Sequence, residues 1–434
     1  MKAIGAVIIT ILTSLFFFPF NSSLLPSVNT KLAMSLVGLL LFAYEGFRTR
    51  NAQLNRTLTV ISIYAIFVSL AGLAAIVINN TRDYTYVTYI ISVWVWIAGA
   101  YVVINCIEGC YGKATLRLVT NFLTAVCVIQ CILSQLTDRY EGIAAWVKNF
   151  VVSEGFMGIP NGRLYGIGCA LDVAGLKFCA VLILISYFAI HPSGKINHYL
   201  ESGLYIISFM IIAVLGSMIA RTTSVGIGIA ILLWCIYPFM NHGKDKKESS
   251  YFLKTLIACM IVLVPLTWYE YRTHQGFHEN LRFGFEGLFS LIEKGTWEVH
   301  SNDQLMGMWV WPDNLKTWLI GDGYFNSPRS NPFYVGPDFE DFYMGTDIGY
   351  CRFVFYFGLI GLAAISSFFI SCAYQCSKNH PKSAIVFWAI LAINFIGWCK
   401  VSSDIFPVFA LILLLAASPN ATEQRTHHAL PDAR

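Results

Sequence analysis

Charge is what this chain has least of. Asp, Glu, Lys and Arg make up 12% of its 434 residues, against 56% hydrophobic. Soluble domains are about one-quarter charged and about half apolar, so the composition excludes an ordinary soluble globule and fits a polytopic membrane protein. Blocks of basic residues are also missing. The net charge of +4 is small and dispersed, which argues against a nucleic-acid partner. No His/Cys group has zinc spacing, and no P-loop or paired-glycine nucleotide motif occurs in the connections read below as cytoplasmic. That disfavours an energy-coupled pump, and neither metal nor cofactor is expected. The twelve cysteines do not make a disulfide framework: Cys127, Cys131, Cys179, Cys235, Cys259 and Cys372 lie in or at the ends of hydrophobic runs, and residues 270–346 contain none. They read as small buried apolar residues.

Long apolar runs, by contrast, are plentiful. Stretches able to form spans of ~20 residues fall at 3–20, 31–47, 57–78, 84–106, 116–135, 171–190, 203–220, 223–240, 252–269, 347–375, 383–398 and 403–418. The first mimics a signal peptide, but no small-x-small cleavage site follows, so it reads as a transmembrane helix. The run at 347–375 is overlong, with a break expected near Gly358 and Gly361. The expected fold is therefore an all-α polytopic membrane protein of about twelve transmembrane helices with one large external loop containing short amphipathic helices. Its expected parts are a bundle over 1–269 with a medium outer loop at 136–170, the large loop at 270–346, C-terminal spans over 347–418, and a polar tail at 419–434.

Basic residues set the expected orientation. Arg48, Arg50 and Arg56, then Lys113 and Arg117, Lys195, Lys244, Lys246, Lys247 and Lys254, and Lys378 and Lys382 occupy alternate connections, which places both termini in the cytoplasm. The 270–346 loop then lies outside, with eleven acidic residues against five basic ones. It is too aromatic for disorder, carrying Phe283, Phe285, Phe289, Trp297, Trp309, Trp311, Trp318, Tyr324, Phe325, Tyr334, Phe339 and Tyr343. Such rings offer apolar faces to sugars or form an interfacial belt. Leu281–Lys294 has the spacing of an amphipathic helix lying on the outer leaflet. Asn302-Asp303 suits the cap of a second short helix ending near Pro312, and Gly321-Asp322-Gly323 reads as a turn.

Few ionisable residues remain to carry chemistry. Arg221 stands at an outer junction of two spans, where a guanidinium faces a cavity or partner, pairs with phosphate or carboxylate oxygens, or snorkels to headgroups. Arg163 lies in the external turn Pro160-Asn161-Gly162-Arg163-Leu164-Tyr165-Gly166. Lys177 sits two turns inside the next span and calls for an anion, either a ligand or a carboxylate such as Asp172. Asp347 and Arg352 mark re-entry after the long loop: a general base with a neighbouring cation, or a helix cap with an interfacial anchor. His274, His278 and His300 are external candidates for bases and equally ordinary surface histidines.

The Met218-Ile219-Ala220-Arg221-Thr222-Thr223 junction, Gly321-Asp322-Gly323, Thr346-Asp347-Ile348-Gly349-Tyr350 and Phe357-Gly358-Leu359-Ile360-Gly361-Leu362, with the long outer loop, resemble the bacterial O-antigen polymerase and ligase superfamily, the Wzy-like polymerase branch more closely. The resemblance implies a metal-independent glycosyltransferase of the bacterial inner membrane. It would polymerise undecaprenyl-diphosphate-linked oligosaccharide repeat units on the periplasmic face to build surface polysaccharide such as lipopolysaccharide or capsule. Membrane lipids, a chain-length regulator and a flippase are the implied partners. Arg221 and Asp347 take the catalytic roles, and Arg163, Lys177, Arg282 and Arg352 the substrate-binding ones. Two departures stand out: ligases carry a histidine where this chain has Asp347, and many relatives carry an arginine where it has Ser301-Asn302-Asp303. The rivals are an O-antigen ligase, a lipid-linked oligosaccharide flippase or transporter, and a metal-dependent glycosyltransferase. The first outer loop, Asn21 to Thr30, has no acid for the last of these.

Overall fold

A computed structural model describes residues 2–23, 25–46, 52–152, 163–193, 197–240, 246–332 and 334–415. Arg48, Arg50, Lys195, Lys244, residues 160–162 of the glycine-flanked turn and the tail at 419–434 lie outside the described residues.

The described chain is helical almost throughout. Its helices are α1 (Lys2–Phe17), α2 (Thr30–Gly46), α3 (Ala52–Asn79), α4 (Tyr89–Tyr111), α5 (Leu116–Arg139) and α6 (Glu141–Phe150). Then come α7 (Leu171–Ile190), α8 (His198–Ile219), α9 (Thr223–Met240), α10 (Lys246–Thr273), α11 (Gln275–Gly284) and α12 (Glu286–Lys294). The last five are α13 (His300–Gly307), α14 (Leu315–Ile320), α15 (Gly349–Asn379), α16 (Ala384–Gly397) and α17 (Phe406–Leu413). A small antiparallel hairpin, β1 (Asn21–Ser22) with β2 (Leu25–Asn29), links α1 to α2.

Within the described residues, each of the twelve apolar runs overlaps a helix. Among the described residues, seven are long and apolar enough to cross a membrane: α3, α4, α5, α7, α8, α10 and α15. Helices α1, α2, α9 and α16 are apolar but shorter, and α17 has eight residues. The protein therefore has multi-pass membrane character; among the described residues seven helices reach full spanning length, against about twelve spans expected from the sequence.

The chain forms two compact units. The first comprises Met1–Met34, Gly109–Gly112 and Leu116–Asn302, and the second Ser35–Glu108, Lys113–Thr115 and Asp303–Arg434. The large loop is thus shared between them at residue 302.

In the first unit, α7 is apolar all round and packs against α8, α9 and α5. Such a helix needs cover on every side, and 89% of its most apolar window is buried in protein. Helix α10 is the opposite case. Only 11% of its window is buried, and Ile257, Ile261, Val264, Leu266 and Trp268 are exposed.

In the second unit, α15 is broken at Phe357 and Gly358, where Gly358 adopts φ 67°. A break inside an apolar helix frees backbone groups that must be satisfied internally where water is excluded. Asp322 N–H donates to the Phe355 carbonyl (2.6 Å) and Gly323 N–H to the Tyr356 carbonyl (3.0 Å). This contact needs glycine, since a Cβ on Gly358 would lie 2.2 Å from the Leu319 carbonyl. The connection between α3 and α4 grips the same segment. Asn79 Nδ2 donates to the Gly321 carbonyl (3.0 Å), Thr81 Oγ1 to the Gly323 carbonyl (2.8 Å), and Asp83 Oδ2 accepts from Phe325 N (2.8 Å) and Asn326 N (2.9 Å).

Candidate functional site

The α8–α9 corner is pinned before Arg221 reaches out from it. Thr223 Oγ1 donates to the Gly216 carbonyl (3.0 Å), and Thr222 Oγ1 donates to Asp172 at the start of α7. Leu164 N–H donates to the Met218 carbonyl (3.1 Å), bringing Arg163 to the same end of α8. Helix α11 closes on this end because Gly284 lets it: a Cβ there would meet Ser217 C and O at 2.9 Å. Beside Gly284, Phe283 becomes the platform.

Two guanidiniums converge on that ring. The Arg221 Cζ lies 3.9 Å and the Arg163 Cζ 4.7 Å from the Phe283 ring centroid. Arg221 also donates through Nε to the Phe283 carbonyl (2.9 Å) and through Nη1 to Ser301 Oγ (2.9 Å), and its Nη2 lies 2.7 Å from Glu286 Oε2. Burial lowers the Arg221 pKa below its usual value; Glu286 opposes that shift, and the like charge of Arg163 adds to it. Arg282 points elsewhere, forking onto Glu293 (2.6 and 2.7 Å) and covering the Phe289 ring at 4.9 Å. Those hydrogen bonds raise its pKa. Arg221 and Arg282 nevertheless line one open cavity of ≈ 370 Å³ with Glu286, Glu293, Lys294 and Glu298.

Sequence reasoning had Arg163, Arg221 and Arg282 but not Phe283, Glu286 or Ser301. The expected amphipathic segment Leu281–Lys294 is in fact two helices meeting at Phe285 (φ −118°, ψ 29°), and this bend aims Glu286 back at Arg221. Asn302 and Asp303 lie inside α13, which begins at His300 and ends at Gly307 rather than near Pro312.

Lys177 does not join this cluster. It is buried on α7, donates from Nζ to the Phe17 carbonyl and sits 5.4 and 5.2 Å from the Phe17 and Phe18 rings. Phe17 ends α1, so the ammonium meets the carbonyl-rich, partially negative end of a helix. The helix terminus is one partner of the cation for which the sequence reading expected an anion.

Asp347 and Arg352 belong to the second unit. Asp347 is half-buried beside Thr346, whose Oγ1 donates to the Met308 carbonyl (2.8 Å) and accepts from Ile348 N (3.2 Å). Arg352 is 6% exposed. Its guanidinium is sandwiched between Phe325 (3.7 Å) and Phe342 (3.6 Å), and donates to Ser402 Oγ (2.8 Å) and the Phe325 carbonyl (3.1 Å). Asp347 and Asp83 are close enough to act on it electrostatically. This enclosure suits a tether between α15 and the loop better than a phosphate ligand arriving from solvent.

Among the described residues, no group of three or more His, Cys, Asp or Glu side chains could hold a metal ion. The sequence matches no known protein-family profile and no curated protein.

Proposed function

We propose that this protein is a membrane glycosyltransferase that polymerises lipid-diphosphate-linked oligosaccharide repeat units into surface polysaccharide. The observation carrying this reading is the convergence of Arg163 and Arg221 on Phe283, beside a cavity lined by Arg221, Arg282 and Phe283. Paired guanidiniums bind phosphate oxygens with charge-assisted hydrogen bonds, and fixed positive charge favours a leaving group that gains negative charge as its bond breaks.

In the proposed reaction, the bond between the donor sugar's anomeric carbon and the diphosphate oxygen breaks. An acceptor hydroxyl on the incoming lipid-linked unit forms the new glycosidic bond, its proton passes to a carboxylate base, and polyprenyl diphosphate departs. The sequence offers Asp347 as a base, but it belongs to the second unit, and the diphosphate site proposed here is made of first-unit residues alone. Arg163 and Arg221 are the diphosphate ligands, and Arg282 joins them by releasing Glu293. The reaction would run on the periplasmic side of a bacterial inner membrane, with both termini cytoplasmic, and take undecaprenyl-diphosphate-linked glycans as donor and acceptor.

A transporter is the reading that the broken α15 favours, because discontinuous helices line transport sites. Here, however, Asp322 and Gly323 already occupy the carbonyls of Phe355 and Tyr356, so the break is closed on the protein itself. Incubating purified protein in bilayers with a lipid-linked repeat unit tests the proposal. A product ladder supports it, a single transfer to lipid A core makes the protein a ligase, and movement of lipid between leaflets without covalent change makes it a flippase.

A further inference from the structure

We propose that α12, with Trp297 laid across it, is a lipid-docking face that holds the charged cavity at the level of membrane headgroups. Docking of this kind stands apart from the polymerase reading and concerns the side from which the cavity is reached.

Helix α12 has two stripes of opposite character. Glu286, Ser290 and Glu293, at i, i+4 and i+7, share the stripe that lines the cavity. Leu288, Leu291 and Ile292, at i, i+3 and i+4, share the reverse stripe and are exposed, Ile292 at 81%. Trp297 enlarges that reverse surface. The chain turns back at Gly295 (φ 75°), and Ser290 Oγ fixes the return by accepting from Glu298 N–H (2.9 Å). The returning indole lies over Gly287, where a Cβ would stand 2.4 Å from the ring. Trp297 is nevertheless 58% exposed. The hairpin thus turns four large apolar side chains outward with no charged one among them, a patch of the kind that marks a membrane or protein contact.

The seat of α12 favours lipid as the cover. Its Phe289 ring stacks on Tyr271 (5.9 Å, 13°) in the last turn of α10, a helix long and apolar enough to cross a membrane. Trp268 and Tyr269 are exposed in the same stretch of α10, and the Arg272 Cζ lies 4.7 Å from the Trp268 ring centroid. Aromatic rings and a cation at the end of an apolar span are the signature of a membrane–water boundary. A helix fixed at that height with an uncharged outward stripe is an interfacial helix. Helix α11 has no such stripe: it packs on α8 and exposes Gln275 and Glu279.

Docking has a consequence for the cavity on the other side of α12. A helix is ~10 Å across, and interfacial helices sink ~5–10 Å into the headgroup–acyl boundary. The cavity stripe then stands among the headgroups, where Arg221, Arg282 and Lys294 in its lining meet phosphates carried on lipids.

The test is photocrosslinking of the full-length protein in liposomes of phosphatidylcholine and phosphatidylglycerol, with p-benzoylphenylalanine in place of Leu288 or Ile292. The same probe at Ile261, exposed in α10, shows that the protein is inserted, and thermal unfolding shows that each variant is folded. Phospholipid adducts, identified by mass, are expected at 288 and 292 as at 261. Adducts at 261 with none at 288 or 292 overturn the proposal. Crosslinks from 288 and 292 to a second copy of the chain overturn it too, and make the face a dimer contact. Lipid adducts from protein that makes no product ladder would leave docking standing and remove the polymerase. A ladder without adducts at 288 or 292 would do the reverse.

Discussion

Replacing Phe283 by leucine separates the aromatic face from everything else the residue does. The main-chain bond from Arg221 Nε to the Phe283 carbonyl survives, and so does most of the apolar volume; only the π face is lost. Two guanidiniums lie over the ring, 3.9 and 4.7 Å from its centroid. At partly exposed sites each contact is worth ~0.5–1 kcal/mol, so the pair contributes about 1–2 kcal/mol to holding the cations in place before any ligand arrives. Without the ring, that ordering becomes a cost charged to binding, and affinity should fall ~5- to 30-fold. The assay is pyrophosphate titration of the nanodisc-embedded protein, with turnover on a lipid-linked repeat unit measured alongside. A folded Phe283→Leu variant that binds and turns over within about twofold of wild type would refute the platform argument, since ~0.4 kcal/mol is too little for two cation–π contacts.

Other outcomes follow from the second unit. Asp83→Ala strips an acceptor from the N–H groups of Phe325 and Asn326. Phe325 is buried, so its orphaned N–H should cost ~1–3 kcal/mol, read as a lower unfolding temperature and faster hydrogen exchange at Phe325; unchanged exchange would dismiss the clamp. Between α15 and α16, burial pushes the His380 pKa from 6.5 down to about 4. The unfolded chain therefore takes up a proton first, and stability should decline as pH falls from 6.5 toward 4. His380→Phe should flatten that slope in unfolding measurements across the window; an equal slope in both proteins would contradict the assignment.

The helices were legible because each run of about 20 apolar residues has few other ways to satisfy its backbone. The break in α15 was legible too, since Phe357-Gly358 is where a residue without Cβ permits φ 67°. What lay out of reach depended on distance along the chain. Asp83 meets residues 242 and 243 positions away. Glu286 lay inside a segment whose spacing suited one helix, and only the bend at Phe285 turns it toward Arg221. At Lys177 the sequence asks for an anion and gives no sign that the carbonyl end of α1 also lies within reach of the ammonium. Span length was the least legible property, because α1, α2, α9 and α16 are apolar enough to look like full spans but fall short of the seven longest helices.

The account turns on the Arg221 guanidinium meeting a lipid-linked diphosphate. Arg221→Ala, purified in bilayers and supplied with a lipid-linked repeat unit, should remain folded and inserted yet give no product ladder where wild type gives one. A ladder of normal length from that variant would contradict the account.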